Sequence, residues 1–184
     1  MPEDKLDRFL PNHSWNRKEG KLVPFDDAVF GGRFRDTTLF SGGGGLVSTA
    51  MDYMRFAEML RNGGSLDGVR ILSPKTVQFM TLNHLPATVS ASGSGERPSV
   101  DVSTFASGGF GFGLGFGIVT DVAAVGTIGS PGEYSWGGAA GTIFWVDPVE
   151  DIVVIGMIQL MGSPWPLRSE LKVLSNQAIT GLRQ

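Results

Sequence analysis

A series of strand-like segments joined by turns in the C-terminal half most constrains the fold. Glycines alternate with large apolar residues over Gly109–Ile118, a period-two pattern with one bare face and one apolar face. An aromatic and β-branched segment follows at Tyr134–Val146 and stops at Asp147-Pro148. The continuous apolar run Ile152–Leu160 comes next and predicts an inner strand buried on both faces. The pattern therefore predicts three antiparallel strands.

Residues 46–64 predict a helix that precedes this sheet. Ser48 or Thr49 can cap its N-terminus, and Asp52 stands at the spacing of a capping box on Thr49. Asn62-Gly63-Gly64 provides the stop. Apolar residues occupy all but one narrow polar stripe, so we expect the helix to be buried on most sides.

A second, shorter helix is predicted from Ser73-Pro74 to about Asn83, because serine caps a helix and proline suits its first turn. His84 follows, where a histidine favours the helix dipole; we do not predict it as a general base. Residues 86–107, rich in Ser, Gly, Pro and Ala, predict a long flexible loop.

The N-terminal 40 residues lack periodicity and are interrupted by prolines, which predicts an extended segment with at most one short helix. His13 has no second ligand at metal spacing and is interpreted as a surface or loop histidine. No metal site is predicted. Glycines 42–45 precede a helix without a following Gly-Lys-Ser/Thr, and the Gly-x-Gly series from Gly109 opens no helix. We therefore predict neither a phosphate nor a dinucleotide site, and no cofactor.

The last helix is predicted to begin near Pro164-Trp165-Pro166 and to lie on the sheet. The apolar stripe that would contact the sheet comprises Leu167, Leu171, Leu174, Ala178 and Leu182. The fold class is thus α+β, an antiparallel β-sheet packed against a C-terminal helix with a small N-terminal helical and loop part. We interpret residues 1–184 as one partial domain, with helices in 1–85, the loop 86–107, and the sheet with its helix in 108–184.

Composition excludes several classes of function. The formal charge of −3 without like-charge runs gives no reason to expect nucleic acid or an acidic membrane surface as a partner. Cysteine is absent, which excludes disulfides, thiolate metal sites and a cysteine nucleophile. No segment reaches the roughly 18 apolar residues of a membrane span. The N-terminus is too charged for a signal peptide, which favours the cytoplasm.

The strand beginning at Tyr134 is the candidate ligand-binding element. Small residues on a strand leave backbone N–H groups within reach of a ligand, and this strand passes from aromatic residues into glycines. The candidate ligand contacts are Tyr134, Trp136, Gly137, Gly138 and Ala139. An alternative interpretation is that the glycines only let a neighbouring helix pack closely.

Several segments, in this order, resemble the C-terminal half of the serine β-lactamase-like superfamily, closest to class C β-lactamases and family VIII esterases. They are Ser41–Tyr53, Asn62–Pro74, Gly111–Phe116, Trp136–Ala139 and Phe144–Pro148. The resemblance implies a β-lactamase/transpeptidase-like fold. It also implies one acyl-transfer site built from a Ser-x-x-Lys nucleophile, a Tyr-x-Asn element and a Lys-Thr-Gly-type strand.

Within that resemblance, Trp136-Gly137-Gly138 stands where the third element belongs, as Trp-Gly-Gly does in some of the esterases. A lysine that could hold a β-lactam carboxylate is missing there, which favours esters over lactams. The backbone N–H of Ala139 is then the implied oxyanion-hole donor. A small ester or lactam-like molecule is the expected ligand.

The other two elements are missing from the sequence. Neither Tyr53 nor Tyr134 is followed by x-Asn, and the sole Ser-x-x-Lys is Ser169–Lys172. We expect Ser169 and Lys172 to lie opposite the leucine stripe and to face solvent, where nothing activates a nucleophile. No catalytic residue is therefore assigned beyond the Ala139 backbone.

Two functions remain open from the sequence. The chain is either the C-terminal half of a serine ester hydrolase whose nucleophile is supplied by another segment or chain, or a non-catalytic module that binds a ligand or partner. In the resembled fold, the neighbour of Ile152–Leu160 comes from an N-terminal half that this sequence does not contain. An unpaired apolar strand recruits other strands, so we expect a homo-oligomer through Ile152–Leu160 or by segment exchange.

Overall fold

The computed structural model describes residues 3–25, 43–44, 46–85 and 108–182. The predicted loop 86–107 lies outside these ranges, as do residues 26–40 of the N-terminal segment. Within the described ranges, no helix has the length and apolar character needed to cross a bilayer.

The described elements are ten short strands, four α-helices and one 3-10 helix. The strands are β1 His13–Asn16, β2 Lys21–Pro24, β3 Ser65–Leu66, β4 Val69–Arg70, β5 Phe110–Phe112, β6 Gly117–Val119, β7 Tyr134–Gly137, β8 Ile143–Asp147, β9 Ile152–Gly156 and β10 Leu160–Met161. The helices are α1 Ala50–Arg61, α2 Pro74–Met80, α3 Val122–Val125, α4 Leu167–Gln177 and the 3-10 helix Glu3–Arg8. The α+β class is confirmed.

The central sheet is antiparallel throughout, with strand order β5-β6-β7-β8-β9. The single strand predicted over Gly109–Ile118 is wrong, because the chain turns back between β5 and β6. Gly115 adopts a φ of 98°, a conformation that glycine takes without steric cost, and the Gly113 N–H donates to the Phe116 carbonyl at 2.8 Å. The sheet therefore has five described strands where the sequence predicted three.

The predicted inner strand Ile152–Leu160 is also corrected. It is regular only over β9, which ends at Gly156, and β9 is the outer strand of the sheet among the described residues. Leu160 belongs to β10, which pairs in parallel with β1. Because β1 and β2 form an antiparallel hairpin, the N-terminal segment contributes a small second sheet that its sequence did not reveal.

One face of the central sheet packs on α1 and α2. The core there combines helix and strand residues: Ala57, Met59, Leu60, Val77, Phe116, Ile118, Tyr134, Phe144 and Val146. The prediction that α1 is buried on most sides is wrong, since Met51 is 73% exposed and Phe56 is 41% exposed. Its capping was predicted correctly: Thr49 Oγ1 accepts from the Asp52 N–H at 3.1 Å.

The opposite face of the sheet packs on α4, which confirms that the C-terminal helix covers the sheet. The predicted leucine stripe is wrong, because Leu174 is 64% exposed and Leu182 is 81% exposed. The buried residues of α4 are Lys172 and Asn176, one helical turn apart. α4 turns the side with Lys172 toward the sheet because Lys172 has a buried partner there, the carboxylate of Glu133.

This ion pair is nearly inaccessible, with Glu133 at 4% and Lys172 at 7% exposure. Lys172 Nζ also lies 4.7 Å from the centroid of the Trp145 ring, an attractive cation–π geometry. Burial raises the pKa of Glu133, and the attraction of Lys172 opposes that shift only in part. The pair is therefore a desolvated link between α4 and the sheet.

The end of α1 supports a first prediction about stability. The Gly64 N–H donates to the Met59 carbonyl and the Gly63 N–H to the Leu60 carbonyl, the hydrogen bonds of a Schellman cap. Gly64 has a φ of 93°, and a Cβ there would lie 2.3 Å from the Leu72 carbonyl oxygen. We expect Gly64→Ala to lower the free energy of unfolding by more than about 2 kcal/mol, since left-handed strain adds to a backbone clash.

The matched control is Gly68→Ala in the β3–β4 turn. Gly68 has a φ of 78° but no atom within 4 Å of its would-be Cβ, so only the left-handed strain of about 1 kcal/mol applies. Urea denaturation of both variants measures the difference. Equal losses would show that the Leu72 contact does not matter.

Candidate oxyanion site at the end of strand β7

The candidate site is the tight turn between β7 and β8. Its four residues run from Gly138 to Gly141, and the Gly141 N–H donates to the Gly138 carbonyl at 3.0 Å. Neither Ala139 nor Ala140 has a positive φ, so the turn is of type I. A second hydrogen bond at 2.9 Å, from the Gly138 N–H to the Thr142 carbonyl, fixes the base of the turn.

The backbone N–H of Ala139 is the donor that this turn leaves available. Ala139 is exposed, and within the described ranges its N–H donates to no acceptor. The Gly138 N–H is already engaged, so the turn offers its first open donor at Ala139, the position that the sequence predicted. A group that accepts a hydrogen bond can reach it without breaking the sheet.

Arg168, near the N-terminus of α4, is hydrogen-bonded to the β7–β8 turn. Its Nη2 donates to the Gly138 carbonyl and, at 3.2 Å, to the Thr142 carbonyl. A Cβ on Gly137 would lie 2.8 Å from the guanidinium carbon, so glycine at 137 makes room for the arginine. Close packing of a helix side chain thus explains Gly137, in agreement with the alternative interpretation, while Ala139 remains open.

The aromatic residues of β7 have different environments. Tyr134 is 3% exposed and packs against Phe116 with ring centroids 5.3 Å apart. Burial raises its pKa to about 12, so its phenol is a neutral core group. The Tyr134 side chain therefore belongs to the core, and a ligand contact at Tyr134 stays a prediction. Trp136 is 37% exposed and meets Phe112 edge-on at 5.3 Å, so its ring forms part of the surface beside the turn.

Ser169 and Lys172 are not arranged as a nucleophile and its base. Ser169 is exposed, as predicted, but the expectation that Lys172 faces solvent is wrong. Lys172 donates a hydrogen bond to the Glu133 carboxylate on the side of α4 that faces the sheet. Ser169 is still not expected to act as a nucleophile, because a buried lysine paired with a carboxylate does not activate a serine on the exposed side of the helix.

Neither histidine side chain is hydrogen-bonded to the turn in the part of the chain that the structure describes. His84 Nε2 is 2.8 Å from the Phe79 carbonyl in the last turn of α2, in agreement with the interpretation that it favours the helix end. His13 lies in β1, not in a loop, and is half-buried. Among the described residues, no group of three His, Asp or Glu side chains is arranged to hold a metal ion.

A shallow apolar groove of about 410 Å³ lies near the turn without including any predicted site residue. Its lining residues are His13, Trp15, Leu22, Ile158, Gln159, Leu160, Trp165 and Leu167. The groove and the turn are linked, because the Leu160 N–H donates to the Ala140 carbonyl at 3.0 Å. Sequence reasoning missed this groove since it depends on pairing between β1 and β10, which are far apart in the chain.

The central antiparallel sheet with helices on both faces is the architecture that the resemblance implies. The sequence model of the Beta-lactamase family matches residues 3–177. The chain therefore belongs to the β-lactamase family, which is serine hydrolase-like in class. The family resemblance inferred from the sequence is confirmed.

Solved structures of similar fold include EstCE1, a hydrolase with promiscuous acyltransferase activity, and the unliganded simvastatin synthase LovD from Aspergillus terreus. EstCE1 is 23% identical, with a TM-score of 0.68 over 92% of this chain and 43% of its own. LovD is 23% identical, with a TM-score of 0.71 over 97% of this chain and 45% of its own. At this identity the likeness shows the fold.

Among curated proteins, Protein Rv1367c of Mycobacterium tuberculosis strain H37Rv is 40% identical over 126 residues. The uncharacterized protein MT1414 of strain CDC 1551 matches equally. The match covers 65% of this chain and 29% of each relative. The chain thus spans less than a third of these relatives and less than half of the similar structures.

Proposed function

We propose that this chain supplies the oxyanion strand and part of the acyl-pocket wall of a serine ester hydrolase. The Ala139 N–H stabilises the oxyanion of the tetrahedral intermediate, and Trp136 borders the acyl group. A Ser-x-x-Lys element on another segment or chain supplies the nucleophile and its base. The substrate is a small ester, because tryptophan stands where a lysine would hold a lactam carboxylate.

The observation that carries this proposal is the exposed, unengaged Ala139 N–H on a rigid turn. Oxyanion donors are effective when they are fixed before the reaction, since no free energy is then needed to orient them. Hydrogen bonds at Gly138 and Gly141 fix this turn from within, and Arg168 fixes it from α4. Membership of the β-lactamase family supports the same reaction class.

The proposal is tested with a chimera of EstCE1 in which the portion that this chain matches is replaced by residues 1–184. We expect a folded chimera to hydrolyse p-nitrophenyl butyrate and to be labelled by a serine-directed phosphonate. Circular dichroism establishes folding independently of activity. A folded chimera that is labelled by the phosphonate but does not turn over the ester would contradict the assignment of the oxyanion strand.

The isolated chain is expected to hydrolyse p-nitrophenyl acetate or butyrate only near background, because no serine in this sequence has an evident activating base. Mass spectrometry after phosphonate treatment is expected to show unmodified protein. Stoichiometric labelling at a single serine would overturn this prediction. If labelling is lost in Ser169→Ala, the conclusion drawn from the Lys172–Glu133 pair is wrong as well.

We further propose that the chain self-associates through β9. Among the described residues, β9 is hydrogen-bonded to β8 on one side only, and its sequence from Ile152 to Gly156 carries no charge. Such an edge recruits another strand. We expect a two-fold dimer in which two β9 strands pair or segments exchange, measured as about twice the 19.6 kDa chain mass by light scattering. A stable monomer with fast amide exchange along β9 would refute it.

The second candidate function is a non-catalytic ligand-binding module. The apolar groove between β1 and α4 favours it, since Trp15 and Trp165 pack edge-on there at 4.9 Å and leave apolar surface open. The chimera separates the two functions. A chimera that folds, resists the phosphonate and lacks esterase activity, together with an isolated chain that binds apolar ligands at Trp165, would favour the module.

A further inference from the structure

Arg168 donates to the carbonyl of the peptide group whose N–H is the candidate oxyanion donor. The Gly138 carbonyl and the Ala139 N–H belong to one planar, resonance-coupled unit. Arg168 Nη2 reaches this carbonyl from one side of the turn and leaves the N–H open on the other. The arginine therefore contacts the donor group through its peptide bond and does not occupy the space in front of it.

The sequence around the turn is arranged to admit this arginine. Gly137 lacks the Cβ that would approach the guanidinium carbon to 2.8 Å. The same Nη2 also donates to the Thr142 carbonyl on the returning strand, so the guanidinium bridges both sides of the turn. Within the described ranges, no carboxylate forms an ion pair with Arg168, so its charge acts on these carbonyls without a neutralising partner.

A charged donor on a peptide carbonyl withdraws electron density from the peptide nitrogen. The N–H on the same unit becomes a stronger donor, the cooperative effect seen in chains of hydrogen bonds. Hydrogen bonds to charged groups are roughly twice as strong as neutral ones. The effect is largest for an anionic acceptor, which is what the tetrahedral intermediate presents.

We infer that Arg168 is a positioning residue that orients the Gly138–Ala139 peptide and strengthens its N–H toward an acyl oxyanion or a carboxylate. This inference rests on the proposed function of Ala139. It assigns to the C-terminal helix a direct part in the acyl-transfer site, although Arg168 itself does not contact the reacting atoms.

The test uses the chain labelled with 13C and 15N and observed by NMR. Without ligand, the Gly138 carbonyl carbon and the Ala139 amide report the hydrogen bond from Arg168. Arg168→Gln removes the charge and is expected to shift the carbonyl carbon upfield. Gly137→Ala displaces the guanidinium while keeping the arginine, and we expect it to shift the same carbon in the same direction. Arg168→Lys retains the charge and is expected to give a smaller shift.

Titration with butyrate then measures how strongly the Ala139 N–H binds a carboxylate. We expect the Ala139 amide to shift on addition of butyrate. The affinity is expected to fall about two- to threefold in Arg168→Gln, because the guanidinium no longer polarises the peptide group that donates to the carboxylate. Arg55→Gln is the matched control, because it removes one exposed arginine of α1, which pairs with Asp67 in the β3–β4 turn and lies on the opposite face of the sheet from α4. It is expected to leave the carbonyl shift and the affinity unchanged.

The outcomes separate this inference from the proposed function. An unshifted Gly138 carbonyl in both Arg168→Gln and Gly137→Ala, or an unchanged butyrate affinity in them, would overturn the role of Arg168. A wild-type chain whose Ala139 amide does not respond to butyrate would contradict the proposed function instead. In that case the ligand-free carbonyl shift still decides whether Arg168 polarises the peptide.

Discussion

Replacing Ala139 with proline is expected to lower kcat for ester hydrolysis by the EstCE1 chimera about 10²- to 10³-fold, the usual cost of one oxyanion donor. Proline removes the N–H, and its fixed φ suits the first central position of a type I turn. The hydrogen bond that closes the turn, from the Gly141 N–H to the Gly138 carbonyl, does not involve the N–H of residue 139 and is kept. The substitution therefore removes the oxyanion donor and keeps the conformation of the turn.

The matched control is Ala139→Gly, which keeps the N–H and is expected to retain kcat within a few-fold. KM should change little in either variant, because the oxyanion develops only in the transition state. Steady-state kinetics with p-nitrophenyl butyrate provide both constants, and thermal melting checks the fold. If Ala139→Pro melts like the parent and keeps its kcat, another group stabilises the oxyanion.

The second large effect is expected from Lys172→Met, which should lower the free energy of unfolding by about 3–5 kcal/mol. Removing one partner of a buried ion pair leaves the other charge desolvated, and that cost exceeds the value of the intact pair. Glu133 is 4% exposed, and the nearby Asp147 carboxylate disfavours a second negative charge. Urea denaturation at pH 8 measures the loss.

The loss is expected to be smaller at pH 5 than at pH 8. Burial already raises the pKa of Glu133, and removal of Lys172 takes away the attraction that lowers it, so the folded variant holds a proton that the unfolded chain releases. Stability of the variant therefore falls as pH rises above the ordinary range of a glutamate. The double variant Glu133→Gln/Lys172→Met should recover most of the stability and lose this pH dependence. A loss independent of pH would mean that Glu133 is not the group left uncompensated.

Sequence alone determined the features that depend on local patterns. Capping by Thr49 and the stop at Gly63-Gly64 follow from backbone geometry that only a few residue types satisfy, so the ends of α1 were predicted correctly. The β8–β9 hairpin was predicted in the same way. Each depends on residues close together in the chain.

The tertiary structure decided what depends on contacts between distant segments. Apolar periodicity placed leucines of α4 on the sheet, yet Lys172 occupies that face because a buried carboxylate 39 positions earlier offsets its desolvation. The sequence left Gly137 open between a ligand contact and close packing of a helix, and only the structure shows that its missing side chain admits Arg168 from α4. No pattern along the chain predicts a pair such as Lys172 and Glu133. Each charged residue alone is expected at the surface, because its burial is unfavourable unless a partner of opposite charge lies beside it.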